Sequence, residues 1–428
     1  MSLSLDRKLE STGTRFRLFA QARYLPSFKQ PETVIVSVPP STMQPGPADD
    51  RMFVVNAIHK KPYSEGGGKP QWHGPQHAPV QPNARGHFDE IDVDSPEFSC
   101  AAMYSTVRRV LDIWEDYFGR PIPWVFEERF QRLELIPLIE WDNAFSGLGY
   151  LEFGFGRLAD GSIDHRSPYC QNFDVLAHEL GHNILYTTVG IPRAGRDTLA
   201  YAGFQESGAD LTAIVAALHF NSVVEHVLEH SHGNLFSVNE LSRLGELPDG
   251  GEIRVAFHDE ERPTGGAEEC ALSLPLTGGL FDVFVEAFQK ALVQNGLITP
   301  QLAARSSHGV AQRTELPEVE LAFKRAYAGH AAEFKTCLLE ARDYLGQLLA
   351  RTWSSLSADD LEYAQVARAV LRADFALTGG TNAKQIRECF AWREIAVADA
   401  RVPSATRSIE NVFKQGRDAY RIEAPTGR

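Results

Sequence analysis

The sequence is poor in cysteine, in basic charge and in long apolar runs. Five cysteines, Cys100, Cys170, Cys270, Cys337 and Cys389, occur in 428 residues. Their number is odd and none pair at CxxC spacing, which argues against a disulfide framework and a cysteine-based zinc site. Buried or inert thiols are expected instead. Lys and Arg total 42 against 56 Asp and Glu, a formal net charge of −14. Phosphate contacts need clustered Lys and Arg, so nucleic acid is excluded as a general partner. The longest near-continuous apolar run, Leu211 to Leu218, falls far short of the ~20 residues of a membrane span. The start, Met1 to Lys8, lacks the apolar core of a signal peptide. The chain therefore reads as cytoplasmic as written, or as secreted if a leader has been removed.

What is present is ordinary globular composition, 43% hydrophobic and 23% charged, and the length suits two or three domains. Thr33 to Val38 and Met52 to Ile58 are rich in β-branched residues and bounded by proline-rich turns. Residues 62–87 form a polar loop rich in Gly, Pro and His; His73, His77 and His87 match no standard ligand spacing. Ser95-Pro96-Glu97 marks a helix start, and Ala101, Tyr104, Val107, Val110, Leu111 and Trp114 follow at helical spacing. Residues 133–155 return to β-type sequence. Beyond residue 172 helical patterns dominate: Asp174 to Leu185, Gln205 to Leu218, Leu280 to Leu292, Glu318 to Tyr327 and Glu340 to Trp353. Ser357-Ala-Asp-Asp360 is expected to open a further helix. The fold class that follows is α+β, β-rich first and helical second, in two lobes. The expected divisions are an N-terminal extension with short strands over 1–50, a β-rich lobe over 51–188 and a mainly helical lobe over 189–428.

The most informative segment is Asp174-Val-Leu-Ala-His178-Glu179-Leu-Gly-His182, an H-E-x-x-H within a helical pattern. Histidines at i and i+4 share one helix face, so both imidazoles can reach one metal ion. Glu179 lies on a nearby face and can contact a water on that metal. Random order would give on the order of 0.03 such matches in this length, so the motif alone does not decide against two solvated helix histidines. A third group raises the odds. Gln205-Glu206-Ser-Gly-Ala-Asp210 is expected to open the next helix, with Glu206 placed 24 residues after His182. Glu206 offers a carboxylate ligand; Asp210 and Gln205 can accept the outer N–H of ligand imidazoles. Two His and one Glu leave a position for water, the catalytic form of a zinc site.

With these motifs the chain resembles the thermolysin-like zinc metallopeptidases, members of the gluzincins. Asp142-Asn143-Ala144-Phe145 looks like the family's Asn-Ala-Phe edge segment, and Phe173 to Leu180 matches its run into the active-site helix. Thr277-Gly278-Gly279-Leu280 resembles the Ser-Gly that begins a later helix. The resemblance implies a two-lobed fold with the active-site helix between a β-rich and a mainly helical lobe. It implies Zn2+ bound by His178, His182 and Glu206, Glu179 as general base, and a peptide or protein substrate held by Asn143, Ala144 and Phe145. It further implies a metalloendopeptidase activity.

The chain also departs from the family. The stretch Leu272 to Leu276 has no histidine where the family places its oxyanion donor, and losing one such donor typically costs ~10²–10³ in rate. Tyr201 and His258 are the candidate substitutes. The family's acidic calcium cluster is not recognisable beyond Asp174, so calcium is doubtful. The alternative reading is a zinc-binding pseudoenzyme or interaction protein on the same scaffold.

Overall fold

The computed structural model describes residues 5–158, 160–236, 243–244, 254–255, 269–306 and 316–397. They divide into two units, the first ending at Thr187 and the second beginning at Thr188. Strands dominate the first and helices the second, so the α+β order read from the sequence holds.

The first unit begins with a short helix, α1 (Leu5–Leu9), and an antiparallel pair, β1 (Thr14–Leu18) and β2 (Glu32–Val36), in register Thr14 to Val36. Helix α2 (Pro96–Phe118) packs against this pair. Its start is the expected one: the Ser95 side chain accepts the Phe98 N–H, Pro96 occupies the first helical position, and Gly119 ends the helix at φ 66°. The predicted stripe from Ala101 to Trp114 is buried. Burial goes further than an amphipathic pattern implies, because Arg108, Arg109 and Asp112 are buried too. Pairing makes that tolerable: Arg108 reaches Asp112 at 2.8 Å and Glu115 at 2.7 Å, while Ser37 donates to Asp112 through its backbone and hydroxyl.

A four-stranded sheet carries the rest of this unit, in the order β3 (Met52–Val54), β4 (Leu133–Ile136), β6 (Tyr150–Phe153), β5 (Ala144–Gly147). Strands β3, β4 and β6 run parallel, and β5 lies antiparallel to β6 at the end of the sheet order, with Ala144 opposite Phe153. Gly149 turns the chain between β5 and β6 at φ 83°, and a Cβ there would meet the Phe130 ring at 2.4 Å. An antiparallel pair, β7 (Phe155–Arg157) and β8 (Ile163–Pro168), follows. The polar loop after β3 is more tightly held than its composition suggests. Lys60 pairs with Glu152 of β6 in a buried contact and lies 3.4 Å from the Tyr63 ring centre. Glu134 of β4 accepts from the Tyr63 hydroxyl at 2.9 Å and the Trp72 N–H at 2.8 Å. The last helix of the unit is α3 (Phe173–Thr188), whose final residue begins the second unit.

The second unit contains α4 (Leu199–Ala217), α5 (Asn221–Ser231), α6 (Glu269–Gln294), α7 (Pro300–Ser306), α8 (Leu316–Tyr327), α9 (Ala331–Ser355), α10 (Tyr363–Thr378) and α11 (Ala383–Trp392), with two-residue strands β9 (Arg243–Leu244) and β10 (Arg254–Val255). Four helix starts differ from expectation, among them that of α9, which begins at Ala331 rather than Glu340. Helix α4 begins at Leu199 rather than Gln205, because Thr198 caps it by accepting the Tyr201 N–H at 3.0 Å. Thr277-Gly278-Gly279 does not begin a helix but lies inside α6. There the missing side chain of Gly278 admits the buried Arg393 guanidinium, which a Cβ would meet at 2.7 Å. Arg393 pairs with Asp282 one turn further on, at 2.9 Å. Ser357 to Asp360 is not a helix start either: Asp359 and Asp360 hold Arg193 and Arg196, and α10 starts after a capping box of Glu362 and Gln365. Among the described residues no single helix is long and apolar enough to cross a membrane.

The described cysteines Cys100, Cys170, Cys337 and Cys389 are buried and free, as expected. Burial pushes the Cys100 thiol up to about 12, which keeps it protonated and unreactive near neutral pH.

Candidate metal centre

Helix α3 is fixed at its start by one adjacent side chain and one from far up the chain. Asn172 accepts the Val175 N–H through its side chain at 3.4 Å. Gln21, itself buried, donates to Asp174 at 3.0 Å. Asp174 lies in the first turn, where a carboxylate suits the positive end of the helix. This hydrogen bond ties the first turn of the helix to the N-terminal segment. One and two turns later come His178 and His182, both half-buried. Their rings stand nearly perpendicular, at 88°, and their Nε2 atoms are 3.2 Å apart.

Helix α4 carries the carboxylate. The loop leading into it is pinned on both sides of its bend. The Arg193 N–H and guanidinium donate to Asp359 at 2.8 and 2.6 Å, Arg196 pairs with Asp360, and the Thr198 hydroxyl donates to the Leu361 carbonyl at 2.6 Å. The hydrogen bond from Arg196 holds the Asp360 carboxyl below its usual range. Within α4, Tyr201 donates its hydroxyl to the Gly190 carbonyl at 2.8 Å and accepts from the Gln205 amide at 2.8 Å. Glu206 follows, half-buried, and Asp210, four residues on, is buried.

His178, His182 and Glu206 each offer a ligand atom, and these atoms all lie within 4.8 Å of one another. Tetrahedral geometry with metal–nitrogen bonds of ~2.05 Å sets ligand atoms about 3.3 Å apart. The 3.2 Å between the imidazole nitrogens fits that geometry. Two nitrogens and one oxygen are also the donor chemistry zinc takes in its catalytic sites. The residues present can therefore hold the metal, and the ligands read from the sequence are brought together.

Glu179 is half-buried on the same helix, four residues before the buried Asn183. Residues at i and i+4 share a face. Asn183 donates to the Ser146 hydroxyl on β5 at 2.7 Å. The helix face of Glu179 is thus the one tied to strand β5. Asn183 was not anticipated from the sequence: its partner is 37 residues away, and no local pattern marks such a contact.

The segment Asn143-Ala144-Phe145 enters β5. The Asn143 side chain accepts the Ala144 N–H at 2.9 Å, its carbonyl accepts the Gly154 N–H at 2.9 Å, and Phe145 is 42% exposed. Asp142, just before, is braced by Arg157 at 2.6 Å, and this hydrogen bond lowers its pKa. His258 lies outside the described residues. In the stretch Leu272 to Leu276, the Leu272 carbonyl accepts from the Tyr363 hydroxyl.

No protein-family model and no curated protein matches the sequence. Among solved structures, the chain is similar to the precursor of protealysin, a metalloproteinase from Serratia proteamaculans. The identity is 16%, the TM-score is 0.41, and the match covers 83% of this chain and 90% of that chain. The residues themselves establish the ligand class: His178 and His182 of an H-E-x-x-H helix, joined by Glu206 of the next helix, form a gluzincin-type metal-binding set.

Proposed function

We propose that the chain is a zinc-dependent peptidase. The observation that supports this best is a metal-holding triad with a carboxylate, Glu179, adjacent to one ligand on a helix face tied to strand β5. A site that only needed a structural metal has no chemical use for Glu179. Zinc in the triad would supply a Lewis acid for the scissile carbonyl and lower the pKa of a water from 15.7 towards ~7.

The chain's own residues do the rest in this reading. Glu179 takes a proton from the attacking water and returns it to the leaving amine. Strand β5, last in its sheet order, takes an extended peptide as an added strand. Asn143 and the Ala144 backbone sit at its start, and the exposed Phe145 offers an apolar contact beside it. Tyr201 acts as a positioning residue. Its single proton goes to the Gly190 carbonyl, and its oxygen orients Gln205, next to the ligand Glu206. Asp210 and Gln205 are the proposed partners that hold the ligand imidazoles in one tautomer.

The test is Glu179→Gln, measured on an internally quenched peptide together with metal content. The expected result is a loss of ~10²–10⁴ in kcat, the usual contribution of a general base, with zinc retained. A variant with wild-type turnover, or a zinc-loaded wild type that cleaves no peptide in a broad library, overturns the reading.

A further inference from the structure

A second pair of histidines stands far along the chain from the triad. Helix α5 carries His226 and His230 at i and i+4, the same spacing as His178 and His182. The apolar side of α5, Val223, Val224, Val227 and Leu228, is buried. His226 and His230 lie off that side, His226 half-buried and His230 exposed. Their ring centres are 3.9 Å apart. His230 Nδ1 lies 2.8 Å from the His226 carbonyl oxygen. A carbonyl only accepts, so Nδ1 is the donor, and in the neutral ring this leaves the lone pair on Nε2. A backbone carbonyl fixing the imidazole tautomer in this way is a standard arrangement behind a metal-ligating histidine.

The surroundings also favour a cation. The pair occupies the second half of α5, nearer the helix end where the dipole is negative. Glu225 and Glu229 flank it, both exposed; Glu225 is paired with Lys335 at 2.6 Å. The field of these two carboxylates is felt by a neighbouring group. Tyr327 has its pKa raised, first by burial and then by Glu229 and Glu225.

We propose that His226 and His230 form a second, surface site for a borderline divalent cation of the copper, nickel or zinc class, with water filling the remaining positions. Imidazole nitrogens suit these metals, and copper(II) binds such donors most tightly in the first-row series. The ligands come from one helix, so a bound ion clamps the second half of α5.

Copper(II) is the probe. The full chain is first loaded with one equivalent of zinc and then titrated with Cu2+, followed by electron paramagnetic resonance and calorimetry. The expected result is a copper site with nitrogen coupling from two imidazoles, weakened at least tenfold by either His226→Ala or His230→Ala. Zinc content should stay constant, and His73→Ala, a histidine elsewhere on the chain, should leave copper binding unchanged. Both test substitutions introduce a strong helix former at a position off the buried side, which keeps the fold. No nitrogen-coupled copper in the wild type, or undiminished binding in both variants, overturns the proposal.

Discussion

At the scale of single residues, the candidate site divides into groups that announce themselves and groups that do not. His178, Glu179 and His182 are legible because helical periodicity alone places them on adjoining faces. Glu206 is legible because a carboxylate in a helical pattern shortly downstream is chemically suited to the same ion. Asn183 is silent in sequence, since its contact with Ser146 depends on how β5 lies against α3. It gives the sharpest prediction at this scale. Asn183→Ala removes the direct bond between the Glu179 helix and the strand proposed to hold substrate. We expect kcat/KM to fall roughly 10–100-fold, as a misplacement of about 1 Å can do. Stability should change by only about 0.5–1.5 kcal/mol, the net worth of one hydrogen bond, and zinc content should not change. A wild-type kcat/KM on a defined peptide would remove Asn183 from the positioning machinery.

At the scale of elements, caps written with Ser and Pro are read correctly, and helix starts set by distant partners are not. Ser95 and Pro96 open α2 as expected. Ser357 to Asp360 reads as a capping-type helix start, yet the Asp359 and Asp360 carboxylates are engaged by Arg193 and Arg196, more than 160 positions away. The loop after β3 shows the same limit. Its composition reads as an exposed polar segment, but Lys60, Tyr63 and Trp72 grip Glu134 and Glu152 on two neighbouring strands.

That network makes stability depend on pH. Burial raises the Glu134 and Glu152 carboxyls above the ordinary value of 4.5. A raised carboxyl binds its proton more tightly in the folded state than in the unfolded one. Its contribution is therefore fully present below pH 4.5 and is lost as pH rises through the raised values. Glu134→Gln makes one of the two permanently neutral. Thermal melting of this variant should depend less on pH than the wild type above 4.5. Parallel melting curves across that range would show that Glu134 is ionised throughout.

At the scale of the whole molecule, the order of strands and then helices was visible in the change of hydrophobic period near residue 172. The distribution of charge was visible only as a total. Of the 56 Asp and Glu, only Glu206 belongs to the triad, and several others are neutralised by pairing: Asp112 with Arg108, Asp359 with Arg193, Asp282 with Arg393. Acidity therefore says little about the chemistry, and the His-His-Glu triad says most. Zinc that binds the folded chain and not the unfolded one also stabilises it, by about 4 kcal/mol at a free concentration 1,000 times Kd.

The most direct test of the central claim is elemental analysis of the purified full chain after dialysis, repeated on His178→Ala and Glu206→Gln. The account predicts one tightly held zinc per wild-type chain, bound through two nitrogens and a carboxylate oxygen, and its loss in both variants. A wild-type chain that holds no zinc and takes up none on addition would contradict it, as would variants that keep the metal unchanged.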